Sequence, residues 1–444
     1  MKKTIICAAF MVASFTTALA QSGTNSPYSQ FGLGLHTDQG SGFNRGMNGL
    51  GLGFHEHNQV NYLNPASYSN IDSLTFIFDA GLSGQITSFQ EGGVKKNANN
   101  SNFEYVVAGF RLAPKLGMSF GIVPYTNVGY NYSTSEVKER DYNGQPSNYV
   151  TNTYAGSGGI HQVYVGLGWM PFKNFSLGVN GGYLWGTLDR SITNSYTNTS
   201  VNSLLRNYSA SISSYKVDFG LQYTLSLSKK DALTLGLTYG LGHKICDTPS
   251  VEDISVNSQT SVTDTTTYYA SNGMRIPTSY GVGLMYNHNN KLKIGFDYSL
   301  QKYGTIETPT YYNEKKDEFL NSVSEEKKNE PVIGYFKDRS KYTFGFEYMN
   351  NEQSRKWSDR VRYRFGASYA TPYYYINGVD GPKEYSVSAG VGIPLVNYWN
   401  NRSILNISFQ YARQEAKNLI KENTFRINIG LTFNENWFSK WKVR

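Results

Sequence analysis

Few residues of this chain have the types and spacing that a catalytic or metal site requires. Its six histidines are His36, His55, His57, His161, His243 and His288. His55 and His57 alternate with Glu56, so on a strand they would present two imidazoles from one face to a metal ion, but no third ligand accompanies them. Serine and aspartate are abundant, yet none has the neighbours that activate a nucleophile. We expect no enzyme, no cofactor and no metal site.

Charged residues recur instead on the polar side of an alternating pattern. Val361, Tyr363 and Phe365 alternate with three arginines, and lysines and acids take the same position in two earlier segments. The candidate network comprises Arg360, Arg362, Arg364, Lys291, Lys293, Asp297 and Glu347, with Lys341, Asp79 and Asp218 on the same inward side. One interpretation, which we favour, is a salt-bridged network that holds other polypeptide in place. The other is a basic ring that attracts an anionic headgroup or carboxylate.

The elements that carry these residues are predicted to be strands. Leu233, Leu235 and Leu237 alternate with threonine and glycine, and a period of two places each set on one face of a strand. Most of the runs are long enough to cross a membrane when tilted, which takes about 9–11 residues. We count fourteen, at 74–86, 103–113, 116–133, 159–172, 175–188, 209–227, 232–245, 274–286, 291–304, 337–349, 360–371, 383–395, 403–416 and 423–434.

The connections between these runs indicate a closed barrel. Short connections such as 114–115 and 173–174 alternate with long ones at 134–158, 189–208, 246–273 and 305–336. This asymmetry is typical of outer-membrane barrels, whose short turns face the periplasm. An even strand count returns the C-terminus to the periplasm, where we expect the N-terminal segment to begin. Residues 314–328, within the last long connection, favour a short helix.

The N-terminal residues have the features of a secretion signal. Lys2 and Lys3 precede a mostly apolar run at 4–13, and Ala18-Leu19-Ala20 fits a cleavage site, so we assign residues 1–20 to a signal peptide. An N-terminal membrane anchor is the alternative, although the run is shorter than the ~20 residues of a spanning helix. Removing both lysines lowers the formal charge of +8 to +6. No basic block with interleaved aromatic residues is present, so nucleic acid is not an expected partner.

Composition divides the remaining chain into three parts. Residues 21–73 are rich in glycine and irregular, residues 74–434 carry the strands, and residues 435–444 form a basic tail. Mean hydropathy is −0.45, which alone would favour a soluble protein. However, the second face of the strands carries glycine and small polar residues in regular register, as a water-filled or plugged lumen would. We predict an all-β fold, a fourteen-stranded antiparallel transmembrane β-barrel with residues 21–73 as a hatch in its lumen and a periplasmic tail.

The chain resembles the long-chain fatty-acid transport (FadL-like, OmpP1/TodX-type) family of outer-membrane proteins. The resemblance rests on Asn64-Pro65-Ala66 just before the first strand, on 276–283 and 291–299, and on 364–369 and 385–392. It implies a barrel with a luminal hatch and passive uptake of hydrophobic molecules, often through a gap beside a kinked strand. Pro124, which removes a ladder hydrogen bond, is the candidate kink, with a simple bulge as the alternative. Phe31, Leu33 and Leu35 are candidate hatch contacts with the cargo.

Two functions follow as expectations. The first is an outer-membrane channel of a Gram-negative cell for passive uptake of hydrophobic compounds such as long-chain fatty acids. The second is a non-transporting barrel that acts as a scaffold or adaptor subunit of an outer-membrane secretion or assembly complex. A transporter predicts an apolar tunnel leading to Pro124, and an adaptor predicts a plugged lumen. The expected partners are outer-membrane lipid, hydrophobic small molecules and other envelope proteins.

Overall fold

A computed structural model describes residues 23–140, 142–246, 248–270, 272–313, 318–319, 335–352, 354–376, 378–396 and 402–435. The proposed signal peptide, the centre of the predicted helix and the C-terminal tail lie outside these ranges. Within them, no helix is long and apolar enough to cross a membrane.

Fourteen antiparallel strands form the wall of a closed barrel. Each pairs with the next along the chain, and the first pairs with the last, from Phe76 opposite Glu435 to Gln90 opposite Lys421. The predicted fourteen-stranded antiparallel barrel is therefore confirmed. The strands are β1 (Phe76–Glu91), β2 (Val94–Ala113), β3 (Leu116–Arg140), β4 (Pro146–Phe172), β5 (Phe175–Tyr196), β6 (Ser203–Ser226), β7 (Asp231–Gly240), β8 (Ser279–His288), β9 (Leu292–Gln301), β10 (Arg339–Tyr348), β11 (Arg362–Ala370), β12 (Lys383–Val396), β13 (Arg402–Glu415) and β14 (Lys421–Glu435).

The alternation in the sequence separates the two faces of this wall. In β1, Leu82 and Ile86 point outward and are more than half exposed, whereas Ser83 and Gln85 point inward and are buried. A continuous apolar exterior around a polar interior is the arrangement of a barrel that lies in lipid. We call the end with the β2–β3, β4–β5 and similar turns the turn end, and the opposite end the hairpin end.

The connections at the hairpin end contain more strand than predicted. Segments 134–158 and 189–208 were expected to be loops, but β3, β4, β5 and β6 continue through most of them. Their Ser-, Thr- and Asn-rich sequences place polar side chains on both faces of the strands, so these segments lack the apolar/polar alternation by which strands are predicted. Of the predicted helix, the described residues Glu318–Phe319 form a strand instead.

Shorter elements complete the described chain. The additional strands are Leu35–His36, His243–Cys246, Ser250–Val256, Thr263–Ala270, Met274–Ile276, Tyr311–Asn313, Glu318–Phe319, Tyr375–Ile376 and Val379–Asp380. One α-helical turn, α1, spans Gly42–Arg45, and 3-10 turns span Pro27–Gln30, Pro65–Asn70, Tyr303–Thr305 and Trp357–Arg360. Ser250–Val256 pairs with the outer part of β6 and with Thr263–Ala270, which extends the wall at the hairpin end.

Candidate functional site

The N-terminal residues lie inside the barrel, and residues 42–71, here called the plug base, occupy the half of the lumen nearest the turn end. Its apolar centre is formed by Phe43, Met47, Leu50 and Phe54, all at most 1% exposed, which pack with Met285 of β8. The helical turn α1 begins at a capping box in which Ser41 and Asn44 exchange hydrogen bonds. Such complete burial of irregular backbone requires that the wall come very close to it.

Glycines in the wall make this close approach possible. An added Cβ on Gly178 of β5 would collide with the main chain of Pro65 and Ala66, and one on Gly117 of β3 would collide with the Tyr68 carbonyl group. A side chain at either position would push the plug base away from the wall. These inward-facing glycines therefore contact the plug base and do not line an open channel.

Asn64, Pro65 and Ala66 are the point at which the plug base is fixed to β5, β6 and β7. The Asn64 Oδ1 atom accepts a hydrogen bond from the Ala66 amide and so caps the 3-10 turn that Pro65 opens. The Asn64 Nδ2 atom donates to the carbonyl oxygens of Leu52 and Leu221, at 2.9 and 3.2 Å. One buried side chain thus joins two parts of the plug base and the wall, which gives the triplet a structural role.

A buried ion network joins the plug base to the wall. Glu347 of β10, 2% exposed, accepts from the Arg364 Nε atom at 2.7 Å and lies 3.4 Å from the Lys293 Nζ atom and 3.6 Å from Arg362. Lys293 also contacts Glu56 of the plug base at 2.5 Å. Each charge is paired, as buried charges must be to avoid a large desolvation cost. The contacts agree with the interpretation in which the network holds polypeptide.

Other candidate network residues occupy different places. Asp297 is buried in β9, and its Oδ2 atom accepts from the amides of Gly51 and Leu52 at 2.7 and 2.9 Å. Arg360 belongs to the 3-10 turn Trp357–Arg360, and Lys291 is exposed in the β8–β9 turn, so neither lies in the lumen as predicted. The strand predicted at 360–371 begins at Arg362, two residues later, so Val361, which was expected on the outer face, lies before the strand and is 5% exposed.

Two ion pairs on the plug were missed because no sequence period marks them. Arg45 of α1 contacts Glu104 at 2.9 Å, and Glu104 faces the lumen at a bulge in β2. Asp38 contacts Arg426 at 2.5 Å and Lys341 at 3.8 Å. Burial opposes the ionisation of Asp38, but these cations prevail and hold the pKa of that carboxyl group well below its usual range. These pairs lie hundreds of residues apart along the chain, or at an irregularity of a strand.

His55 and His57 have different side-chain partners. The Nδ1 atom of His55 contacts the Gln222 side chain at 2.5 Å, whereas that of His57 contacts Asp72 at 2.9 Å. Among the residues that the structure describes, no group of three or more His, Cys, Asp or Glu side chains could hold a metal ion.

Residues 23–39, here called the seam segment, close a gap in the wall. The β2–β3 ladder ends at Val106 opposite Ile122. Beyond it, towards the hairpin end, the described residues of β2 and β3 no longer pair with each other, and β1 and β4 are their only partners among the wall strands. Leu35 and His36 pair with β3 there, and the Ser29 hydroxyl group bonds to the Gly129 amide at 3.1 Å. The first described residues therefore lie towards the hairpin end of the barrel and not at the turn end, where the sequence led us to expect the N-terminal segment.

Pro124 lies in β3 beside this gap. The register against β4 shifts between Pro124 and Thr126, which makes Tyr125 the extra residue of a bulge. The Pro124 carbonyl oxygen accepts from the side chains of Thr37 and Gln39, at 2.7 and 2.9 Å. Because proline has no amide hydrogen to donate, the plug can approach this edge without leaving a donor unpaired.

A cavity of about 470 Å³ lies above the seam segment, towards the hairpin end. Phe31 and Leu33 line it on the side of the seam segment, and the rest of its lining is mainly apolar and aromatic, with the charged side chains Arg190, Arg275 and Glu307. Phe31 stacks on Tyr374 with 5.1 Å between ring centroids. Leu35 does not line this cavity, since it pairs with Asn127 and packs in the surrounding apolar cluster.

This geometry defines a class, a fourteen-stranded barrel plugged by its own N-terminal residues. The BamG family model matches residues 1–444, and the chain belongs to that family. No curated protein matches the chain. The likeness to FadL-like proteins noted from sequence is therefore a likeness of fold, and the family is BamG.

Solved structures share the fold at low identity. A Pseudomonas aeruginosa FadL homologue is 12% identical with a TM-score of 0.62, covering 91% of this chain and 99% of that one. The Ralstonia pickettii toluene transporter TbuX is 13% identical with a TM-score of 0.60, at 92% and 99% coverage. The CymD monoaromatic hydrocarbon channel is 13% identical with a TM-score of 0.56, at 90% and 98% coverage.

Proposed function

We propose that this protein is a plugged outer-membrane barrel that serves as a structural subunit of an outer-membrane assembly complex. The observation that carries the proposal is the burial of the plug base against wall glycines and the Glu347 ion network, which fills the turn-end half of the lumen. Membership of BamG, a family related to the Bam complex, supports it. An immovable plug gives a rigid support on which other subunits can assemble.

The hairpin end offers the docking surface for such partners. The strands β3 to β6 continue beyond the apolar band, and the Ser250–Val256 and Thr263–Ala270 hairpin widens this sheet. The two faces of this hairpin differ, because Val251 and Tyr268 are buried on one face, whereas Tyr269 on the other face is 58% exposed. Exposed aromatic side chains on a rigid sheet are common anchors of protein interfaces.

Capture of the tagged full-length protein from membranes tests this proposal. Mild detergent extraction followed by mass spectrometry should recover other envelope proteins in fixed stoichiometry. A variant in which a short turn replaces 251–269 should lose them while keeping a folded barrel, and a matched variant with an altered 92–93 turn should keep them. Recovery of the wild-type barrel alone, including after crosslinking in intact cells, would contradict the proposal.

A second candidate is passive uptake of hydrophobic compounds such as long-chain fatty acids, as the fold relatives suggest. The observation that favours it is the mainly apolar cavity above the seam segment. The cavity lies beside the part of the described wall in which β2 and β3 are not hydrogen-bonded to each other. On this proposal, cargo would pass from the cavity and leave sideways past Pro124 after the seam segment moves.

A disulfide lock tests the second candidate. Leu35 and Asn127 are register partners, so Leu35→Cys with Asn127→Cys should fix the seam segment to β3. Transport would then fall several-fold on oxidation, measured as uptake of a fluorescent fatty acid by cells. Ser133→Cys with Thr153→Cys, across the β3–β4 hairpin, is the matched control and should leave uptake unchanged. Equal uptake with the seam locked or reduced would exclude this route.

A further inference from the structure

Exposed cations are distributed around the turn end of the barrel. The turns β2–β3, β4–β5, β6–β7 and β8–β9 are described in full and β10–β11 is described apart from residue 353, and each of the five carries at least one exposed cation. They are Lys115, Lys173, Lys229, Lys230, Lys291, Arg355 and Lys356, here called the turn-end ring. None of the seven forms an ion pair with another described residue.

Acids at the same end are occupied by other groups. Asp231 accepts hydrogen bonds from Ser228 and Tyr286 and contacts His288, at 2.5 to 2.7 Å. Glu352 contacts Arg362 at 3.1 Å. At the hairpin end, Arg206, Lys302, Lys337 and Arg413 each contact a carboxylate at 2.5 to 2.7 Å, whereas the exposed Lys95, Lys96, Lys383 and Lys421 form no ion pair with a described residue. Asp231 and Asp359 keep their negative charge because most of their hydrogen-bond donors are neutral, so the seven cations of the turn-end ring are in excess over these acids rather than uncompensated.

Large apolar side chains flank the ring on the outer face of the barrel. Leu112, Phe172, Leu227 and Trp357 are 48–71% exposed, and each lies within three residues of a ring cation. The Trp357 indole nitrogen also donates to the Pro394 carbonyl oxygen at 3.2 Å, so the ring of this tryptophan is held at the wall. An aromatic and aliphatic belt followed at once by cations marks the depth at which hydrocarbon gives way to headgroups.

We propose that the turn-end ring binds the phosphate groups of anionic phospholipids in the periplasmic leaflet of the outer membrane. All five of these turns contribute a cation, and in four of them a large exposed apolar residue lies beside it at the lipid boundary, which suits a lipid annulus. An acidic protein partner would instead require the positive charges to be clustered on one side of the barrel rim. This inference rests on the membrane placement of the barrel but not on membership of an assembly complex.

Lipid selection by the purified barrel tests this inference. The full-length protein is equilibrated in detergent micelles with equal amounts of phosphatidylglycerol and phosphatidylcholine, and the co-purified lipid is measured by mass spectrometry. The wild type should enrich phosphatidylglycerol several-fold, less so at high salt. A variant with Lys115, Lys173, Lys229 and Lys230 each changed to Gln should lose most of this several-fold enrichment, since each surface cation adds to the attraction for anionic lipid.

A matched control variant removes the same number of positive charges, four, from the hairpin end. Lys95, Lys96, Lys383 and Lys421 are exposed at the hairpin end, and changing them to Gln should leave the enrichment intact. Folding is checked by the heat-dependent gel shift of the barrel, and the Lys229→Gln, Lys230→Gln double variant serves if the quadruple variant does not fold. Equal enrichment in both quadruple variants, equal loss in both, or loss of an acidic envelope protein without any lipid selection would overturn the inference. Capture of assembly partners can fail independently of all these results.

Discussion

The plug base and the seam segment are consecutive parts of one chain, yet the barrel holds them in different ways. The plug base is fixed by main-chain contacts with wall glycines and by buried ion pairs centred on Glu347. Among the described residues, the seam segment has no such glycine-lined seat and is held by hydrogen bonds to β3, such as that between Ser29 and Gly129, and by side chains of other strands and connections, such as Arg426 on Asp38. The comparison separates a part of the plug whose main chain is packed against the wall from a part that is held mainly through individual hydrogen bonds and ion pairs.

The largest expected effect is at the centre of the ion network. Glu347→Gln leaves Arg364 and Lys293 buried without their shared carboxylate, which should lower the free energy of unfolding by about 3–5 kcal/mol. Urea unfolding in lipid vesicles measures this. The control is Asp253→Asn, which breaks a partly exposed pair with Arg206 at the hairpin end and should cost about 1 kcal/mol or less. Equal losses would mean that the plug base is not held by this network.

The next effect concerns the wall glycines that contact the plug base. Gly178→Ala places a Cβ against the main chain of Pro65 and Ala66, so we expect a loss of about 1–3 kcal/mol in unfolding free energy through overpacking. Gly181, three residues along the same strand, has open space at its Cβ position, so Gly181→Ala is the control. Similar urea midpoints for the two variants would show that the close approach at Gly178 is not needed for stability.

The fold was predictable because the wall strands repeat a simple physical rule. Outward side chains such as Tyr363 and Phe365 must be apolar and inward ones such as Arg364 polar, so a period of two reveals each strand. Closure and strand count then follow from the alternation of short and long connections. The strands at the hairpin end were not predicted, because they carry polar side chains on both faces and therefore lack the apolar/polar alternation.

The candidate site was predictable only in part. Arg362, Arg364, Lys293 and Glu347 were placed in the lumen by their phase in the strands, and the structure locates them there. Glu104 was not, because it faces the lumen at a bulge, which shifts the phase by one residue. The path of the seam segment also could not be read from sequence, since irregular backbone has no period and its partners are distant in the chain.

A smaller effect distinguishes the seam segment from the plug base directly. Ser29→Ala removes the hydroxyl group that bonds to Gly129, at a cost of about 0.5–1.5 kcal/mol. Because the opening is local, hydrogen exchange should accelerate about tenfold within 23–39 and remain unchanged within 42–71. Ser69→Ala removes a comparable buried hydroxyl group from the plug base, where exchange should stay slow. Faster exchange throughout the plug in Ser29→Ala would mean that the two parts open as one unit.

The smallest effect is a pH dependence at the turn end of the plug. The hydrogen bond with Asp72 raises the pKa of His57 against the effect of burial, so the folded protein favours the charged imidazole. This stabilisation should be fully present below the ordinary histidine pKa of about 6.5 and should disappear as pH rises through the raised value. The side chain is 38% exposed, so solvent screens the pair and the contribution should be below about 1 kcal/mol. His57→Gln should therefore lose stability relative to the wild type in acid and match it in base, and a constant difference across the range would show that the pair does not titrate with unfolding.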